Sequence, residues 1–254
     1  MRRQPSPKSQ EGIYIDPSNT SYILNPSNDL PSTQTTFYPA LSSLTASSSS
    51  APNQPSNILA RPPTESEFAS ILSTRSLLLY FGHGSGGQYI RSRTIRELDH
   101  CAVALLMGCS SAKLKEEGAY EPHGVVKSYL MAGAPAVVGC LWDVTDRDID
   151  RWGLECLTRW GLFEEDIQEK SEPLKEKKIK PDKDKQIARA AKTRGKSKPR
   201  EDVKQEEHPT SRSGSGNRNK ISLDQAVAFG REKCFFRYLN GAAPVVYGVP
   251  VFLE

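Results

Sequence analysis

The sequence predicts an α/β fold: a mostly parallel β-sheet sandwiched by helices, with a disordered basic insertion. Three observations predict it. Continuous apolar runs at Leu77–Phe81, Ala102–Met107 and Ala136–Leu141 have the length and composition of strands buried on both faces. Helix signals fall between them, so strand and helix alternate. The chain's excess charge is confined to one segment. Between Lys170 and Lys220 there are 17 Lys/Arg against 8 Asp/Glu, a net of +9, which leaves −5 for the rest of a 254-residue chain whose total is +4.

Each element has its own signature. Thr64-Glu65-Ser66-Glu67 reads as a capping box opening a helix to about Ser73, and the Leu77–Phe81 strand follows. A short helix near Thr94–Leu98 leads to the second strand. Residues Gly124–Ala132 read as a helix with Gly133 as its C-cap, and the third strand comes next. Thr145 opens a helix through Leu162, and Ser222 caps another running to about Leu239. Val245–Tyr247 is the last strand, with Val251–Leu253 extending or following it. The ordered regions are therefore 13–163 and 221–254. Residues 1–12, a Ser-rich stretch at about 45–57 and the insertion at 164–220 are too poor in aromatic and branched apolar side chains to offset their chain entropy.

Composition excludes several classes of function. No apolar run approaches the roughly 18 residues of a membrane span, and the start MRRQPSPKSQ lacks the apolar core of a secretory signal, so a soluble chain is expected. The five cysteines, Cys101, Cys109, Cys140, Cys156 and Cys234, are odd in number and form no C-x-x-C pair. That argues for a reducing compartment and against a disulfide framework or zinc site. Nucleic-acid contact through the basic insertion is disfavoured, because no aromatic residue there offers a base a stacking surface.

Function in an open parallel sheet gathers beyond the carboxyl ends of its strands. Three loops should meet there: Gly82-His83-Gly84-Ser85-Gly86-Gly87, Gly108-Cys109-Ser110-Ser111 and Trp142-Asp143-Val144-Thr145-Asp146. Gly82-x-Gly84-x-x-Gly87 matches the dinucleotide fingerprint, with Asp99 near the position of a ribose-binding acid. That fingerprint must open directly into a helix, and QYIRSR after Gly87 is a poor helix start. Nucleophilic catalysis fits better. Cys109 leaves a buried strand among small residues, in a turn that would expose its sulfur, and His83 at the neighbouring strand end can move its proton. The other four cysteines read as packing residues: Cys101 before a strand, Cys140 inside one, Cys156 and Cys234 on helices. His100 and His123 have no paired nucleophile, and His208 lies in the insertion.

The segments YFGHGSGGQYI, LLMGCSS and GCLWDVTDRDIDRW together resemble the protease domain of separase, a caspase-like cysteine endopeptidase. The likeness extends to YILNPSNDL, RPPTESEF, YEPHGVVKSYLMAGAPAVVG and VVYGVPVFL, and so covers most of the expected ordered chain. The resemblance implies a caspase-like fold with Cys109 as nucleophile, His83 as general acid/base and the backbone amides of Gly84 and Cys109 as oxyanion hole. It implies cleavage after arginine in the kleisin subunit of cohesin, which triggers sister-chromatid separation. A securin-like inhibitor, a nuclear and cytoplasmic location with spindle association in mitosis, and no cofactor or metal are also implied. Arginine selectivity requires acid beside the nucleophile. The run Asp143, Asp146, Asp148, Asp150 supplies candidates, of which Asp143 is the first choice and Asp146 the second, and Trp142 can wall the pocket. The alternative is a helix start, with Thr145 as N-cap and Asp146 and Asp148 favouring the macrodipole. Separases carry a long region upstream of this domain, so the chain is expected to be a fragment or short form that works with it. A peptide-binding module without activity and a caspase-like protease of different specificity are the competing functions.

Overall fold

The computed structural model describes residues 11–46, 57–164 and 220–254. The residues named above at 1–10, in the middle of the Ser-rich stretch and across 165–219, including His208, lie outside the described residues.

In chain order the elements are β1 (Ile13–Ile15), β2 (Thr20–Leu24), α1 (Pro31–Ala46), β3 (Ile58–Leu59), α2 (Glu65–Thr74), β4 (Leu77–Phe81), α3 (Ser92–Arg96) and β5 (Val103–Met107). A hairpin of β6 (Lys115–Glu117) and β7 (Tyr120–His123) precedes α4 (Val125–Met131), β8 (Ala136–Cys140) and α5 (Asp146–Trp160). The chain closes with α6 (Leu223–Gly230), β9 (Pro244–Gly248) and β10 (Val251–Leu253). The main sheet has the order β3-β2-β4-β5-β8-β9. Its first five strands are parallel, and β9 runs antiparallel to β8. The closing Val251–Leu253 strand does not extend that sheet. It pairs in parallel with β1.

The central strands are apolar throughout because both of their faces are buried. Leu77, Leu79 and Phe81 of β4 face a core shared with α1, α5 and α6, through Phe37, Trp152 and Leu223 among others. Leu78 and Tyr80 face a second core with α2, α3 and α4, through Phe68, Ile95 and Tyr129. The period-two alternation of side chains thus divides one run between two layers.

Local chemistry sets the helix ends. Thr64 Oγ1 accepts from the Glu67 amide at 3.2 Å while Glu67 Oε2 accepts from the Thr64 amide at 2.8 Å, completing the expected capping box. Gly161, at φ +91°, ends α5 in a left-handed turn. The largest departure from the expected boundaries is at the last helix. The helix capped by Ser222 stops at Gly230, followed by a single 3₁₀ turn, and Cys234 lies beyond that turn instead of on a helix. The buried Asp148 carboxylate takes the amides of Phe235 (2.8 Å) and Phe236 (3.2 Å) and the Asn240 side chain (2.7 Å), with Arg151 alongside. These tertiary bonds replace the helical ones and fold residues 234–243 onto the start of α5. They also hold Asp148 below the usual carboxylate range despite the opposing effect of its burial.

Candidate active site

Strands β2, β4 and β5 end in register, with Leu24 beside Phe81 and Phe81 beside Met107. The loops that follow are therefore forced together. Gly108 shows how tightly: a Cβ there would lie 2.1 Å from the Gly84 carbonyl oxygen and 2.4 Å from that of Gly82. Only glycine permits this approach of two backbones.

Cys109 leaves β5 in a turn whose next residue, Ser110, has φ +52°. A non-glycine residue in that region is strained and persists only when its surroundings fix it. The surroundings are the end of β8. The Ser110 amide donates to the Trp142 carbonyl (3.1 Å), and its hydroxyl to Asp143 Oδ1 (2.6 Å). The buried Ser111 hydroxyl donates to the Leu106 carbonyl and accepts from the Cys140 amide. The thiol is left partly exposed, its Sγ donating to the Val144 carbonyl at 2.8 Å.

His83 follows β4, its carbonyl accepting from the Tyr80 hydroxyl at 2.9 Å. Its ring Nε2 lies 2.9 Å from Asp29 Oδ2. His83 and Cys109 line one cavity together with Leu30, Thr33, Gly82, Gly108, Asp146 and Asp150. The amides of Gly84 and Cys109 donate to no backbone carbonyl among the described residues, and that of Cys109 points at its own sulfur.

The acids divide differently from the expected order, with Asp146 at the cavity and Asp143 outside it. Asp143 does not line the cavity, because its carboxylate is engaged by Ser110. Trp142 is turned aside too, its indole N–H donating to the Leu239 carbonyl at 3.1 Å. Asp146 and Asp150, four residues apart on α5, share the face that lines the cavity. Asp150 is buried, with Oδ2 accepting from Thr33 at 3.0 Å and Oδ1 lacking any hydrogen-bond partner among the described residues. Burial pushes its carboxyl up to about 7, against the Thr33 bond and with help from Asp146.

Cys109 is raised above the ordinary thiol range, first by burial and then by the carboxylates of Asp146 and Asp143. Asp146→Asn, by removing one of those charges, is expected to speed iodoacetamide alkylation of Cys109 at pH 8 by about two- to fivefold. Equal rates in a mass-spectrometric time course would show that Asp146 does not act on the sulfur.

The loop after Gly87 runs through turns to α3, which begins only at Ser92, so the glycine fingerprint does not open into a helix. Among the described residues no cluster of three or more His, Cys, Asp or Glu is placed to hold a metal ion. None of the described helices is long and apolar enough to cross a membrane.

Residues 1–149 match the family model described as the separin protease domain. The chain belongs to the separin protease-domain family. Separin of Emericella nidulans is 42% identical over 96% of this chain, and separin of Schizosaccharomyces pombe 37% identical over 96%. Among solved structures, the Saccharomyces cerevisiae separase–securin complex superposes with a TM-score of 0.70 at 29% identity, covering 96% of this chain. The fold is therefore that of separase, caspase-like as the resemblance implied. The chain spans only 9–10% of the length of those two separins and 13% of the solved separase chain.

Proposed function

We propose that this chain is the catalytic part of a separase-type cysteine endopeptidase that cuts after arginine. One observation carries the proposal: a glycine-bound histidine and a cysteine from adjacent strand ends border one cavity whose floor holds a buried, half-satisfied carboxylate. Cys109 Sγ attacks the scissile carbonyl, and the amides of Gly84 and Cys109 receive the oxyanion. Gly84, at φ +57°, takes a left-handed turn that frees its amide from the strand ladder. His83 carries the thiol proton to the leaving amine. Asp150 and Asp146 receive the arginine guanidinium, which supplies the missing partner of Asp150 Oδ1 and the countercharge both lack. This assignment keeps Asp146, the second choice, and replaces Asp143 and Trp142 with Asp150, which puts the pocket on the first turns of α5.

Within that reading, the substrate is the kleisin subunit of cohesin and the inhibitor a securin-like chain that occupies the groove. The upstream separase region is a partner, and the site of action is the nucleus and cytoplasm, at the spindle in mitosis. The competing reading is a peptide-binding groove without turnover, favoured by the engagement of the thiol with Val144 instead of His83.

Labelling with an arginine-ended acyloxymethyl ketone peptide separates the two. Wild type is expected to label, Cys109→Ser to lose the label, and a norleucine-ended probe to react at least about tenfold more slowly. No labelling of a folded wild-type chain would overturn the enzyme in favour of the groove.

A further inference from the structure

Asp29 has no assigned part in the site, yet its carboxylate is the described partner of the His83 ring. The pair is built with care for something so open to solvent. Asn25, buried and at φ +52°, closes a turn in which its Oδ1 accepts from the amides of Asp29 (3.0 Å) and Leu30 (2.9 Å). Its Nδ2 donates to Gln34 Oε1 at 2.8 Å on the first turns of α1. Its own amide donates to the carbonyl of Phe81, one residue before Gly82-His83. Asp29 and His83 thus follow two neighbouring strand ends, β2 and β4, that are tied together by this bond. The side chains are 53% and 52% exposed, and an ion pair so exposed adds little to stability. The arrangement fixes a direction instead.

We infer that Asp29 is a positioning residue for His83, holding the imidazole as its Nε2–H tautomer so that Nδ1 faces the reaction. The inference rests on the endopeptidase reading above. With Nε2–H donated to Asp29, Nδ1 carries the lone pair and has no protein partner among the described residues. As the Sγ–C bond forms, the thiol proton passes to Nδ1. As the C–N bond breaks, the nitrogen keeps the bonding electron pair and takes that proton, leaving a free amine and an acyl-enzyme. Water then attacks the thioester and gives a proton to Nδ1, the C–S bond breaks, and the proton returns to sulfur. A ring turned by half a revolution about its Cβ–Cγ bond would aim the wrong edge at the amine. Besides Asp29, the titratable groups facing His83 across the cavity are Cys109 from the end of β5 and Asp146 and Asp150 from α5. None of these three is bonded to the ring.

The test compares leaving groups, using the whole chain. An amine must be protonated to leave, whereas the carboxylate of an acyloxymethyl ketone or the alcohol of an activated ester need not be. Asp29→Ala is expected to lower kcat for an arginyl peptide amide by about 10- to 100-fold with KM within about twofold. Hydrolysis of the matching activated ester and labelling by the ketone, which need Nδ1 to accept a proton but not to protonate an amine, should fall at least about threefold less than the amide rate. The ¹⁵N shifts of the His83 ring should move from a single Nε2–H tautomer toward a mixture. Equal losses on amide, ester and ketone, or an unchanged amide rate, would overturn the role of Asp29 while leaving the protease in place. A wild type that neither labels nor hydrolyses would overturn the protease, and this role with it.

Discussion

Asp150→Asn is expected to stabilise the chain by about 2–4 kcal/mol at pH 8 and to reduce its preference for arginine over norleucine probes by about 10- to 100-fold. The stability effect follows from burial. In the unfolded chain this carboxyl titrates near 3.8, whereas in the fold it is pushed up to about 7. Between those values the native state holds a proton that the unfolded state has released, so the Asp150 contribution falls as pH rises from about 4 to 7 and stays low above. Asparagine carries no such cost. The gain measured by urea denaturation should therefore be largest at pH 8 and vanish below pH 4. A guanidinium seated on the ionised carboxylate reverses the balance, so the rate of labelling by the arginine probe should climb through about pH 7 in wild type and lose that limb in Asp150→Asn. A variant no more stable than wild type at pH 8 would show that the carboxylate is paired in solution.

Gly108→Ala should be the most damaging single methyl in the loops that form the cavity. The added carbon meets three backbone atoms of the histidine loop, the Gly84 and Gly82 carbonyl oxygens and the Gly84 nitrogen, which lies 2.9 Å away. No side chain can rotate to relieve this, so the two loops must separate. Stability is expected to drop by about 2–4 kcal/mol and probe labelling by more than about 100-fold. Gly87→Ala is the control: it lies in the same loop, where the nearest atom to a new Cβ is Ser85 Oγ at 3.6 Å, and it should behave as wild type. Wild-type labelling in Gly108→Ala would mean that the loops are not held in contact.

The sequence announces what local chemistry determines. The strands at β4, β5 and β8 are legible because double-sided burial leaves only apolar residues, and Thr64 is legible because its cap is made within four residues. The helix α1 is hidden, since PSTQTTFYPALSSLTA is a poor helix former with a proline inside it. It forms because Phe37, Ala40 and Leu41 are buried in the core beneath it. The hairpin β6–β7 is fully exposed and shows no pattern of burial at all. At the site, the glycine-rich loops point to His83 and Cys109, which line one cavity, but the acids could not be ranked by distance along the chain. Asp143 is nearer the strand end, yet the helical repeat carries Asp146 and Asp150 to one face while a serine engages Asp143. Asp29 is 54 residues from the ring it contacts, and no local signal joins them.

The pairing of β10 with β1, and of β9 with β8, has a consequence for the integrity of the chain. The segment from Lys220 to Glu254 is sewn into the body at two sheets and bracketed by Asp148, whereas His83, Cys109, Asp146 and Asp150 all precede Glu164. A backbone cut anywhere between Glu164 and Lys220 would therefore yield two polypeptides that separate only under denaturing conditions. The nicked particle would keep the residues that line the cavity on the larger piece and the brace that supports them on the smaller.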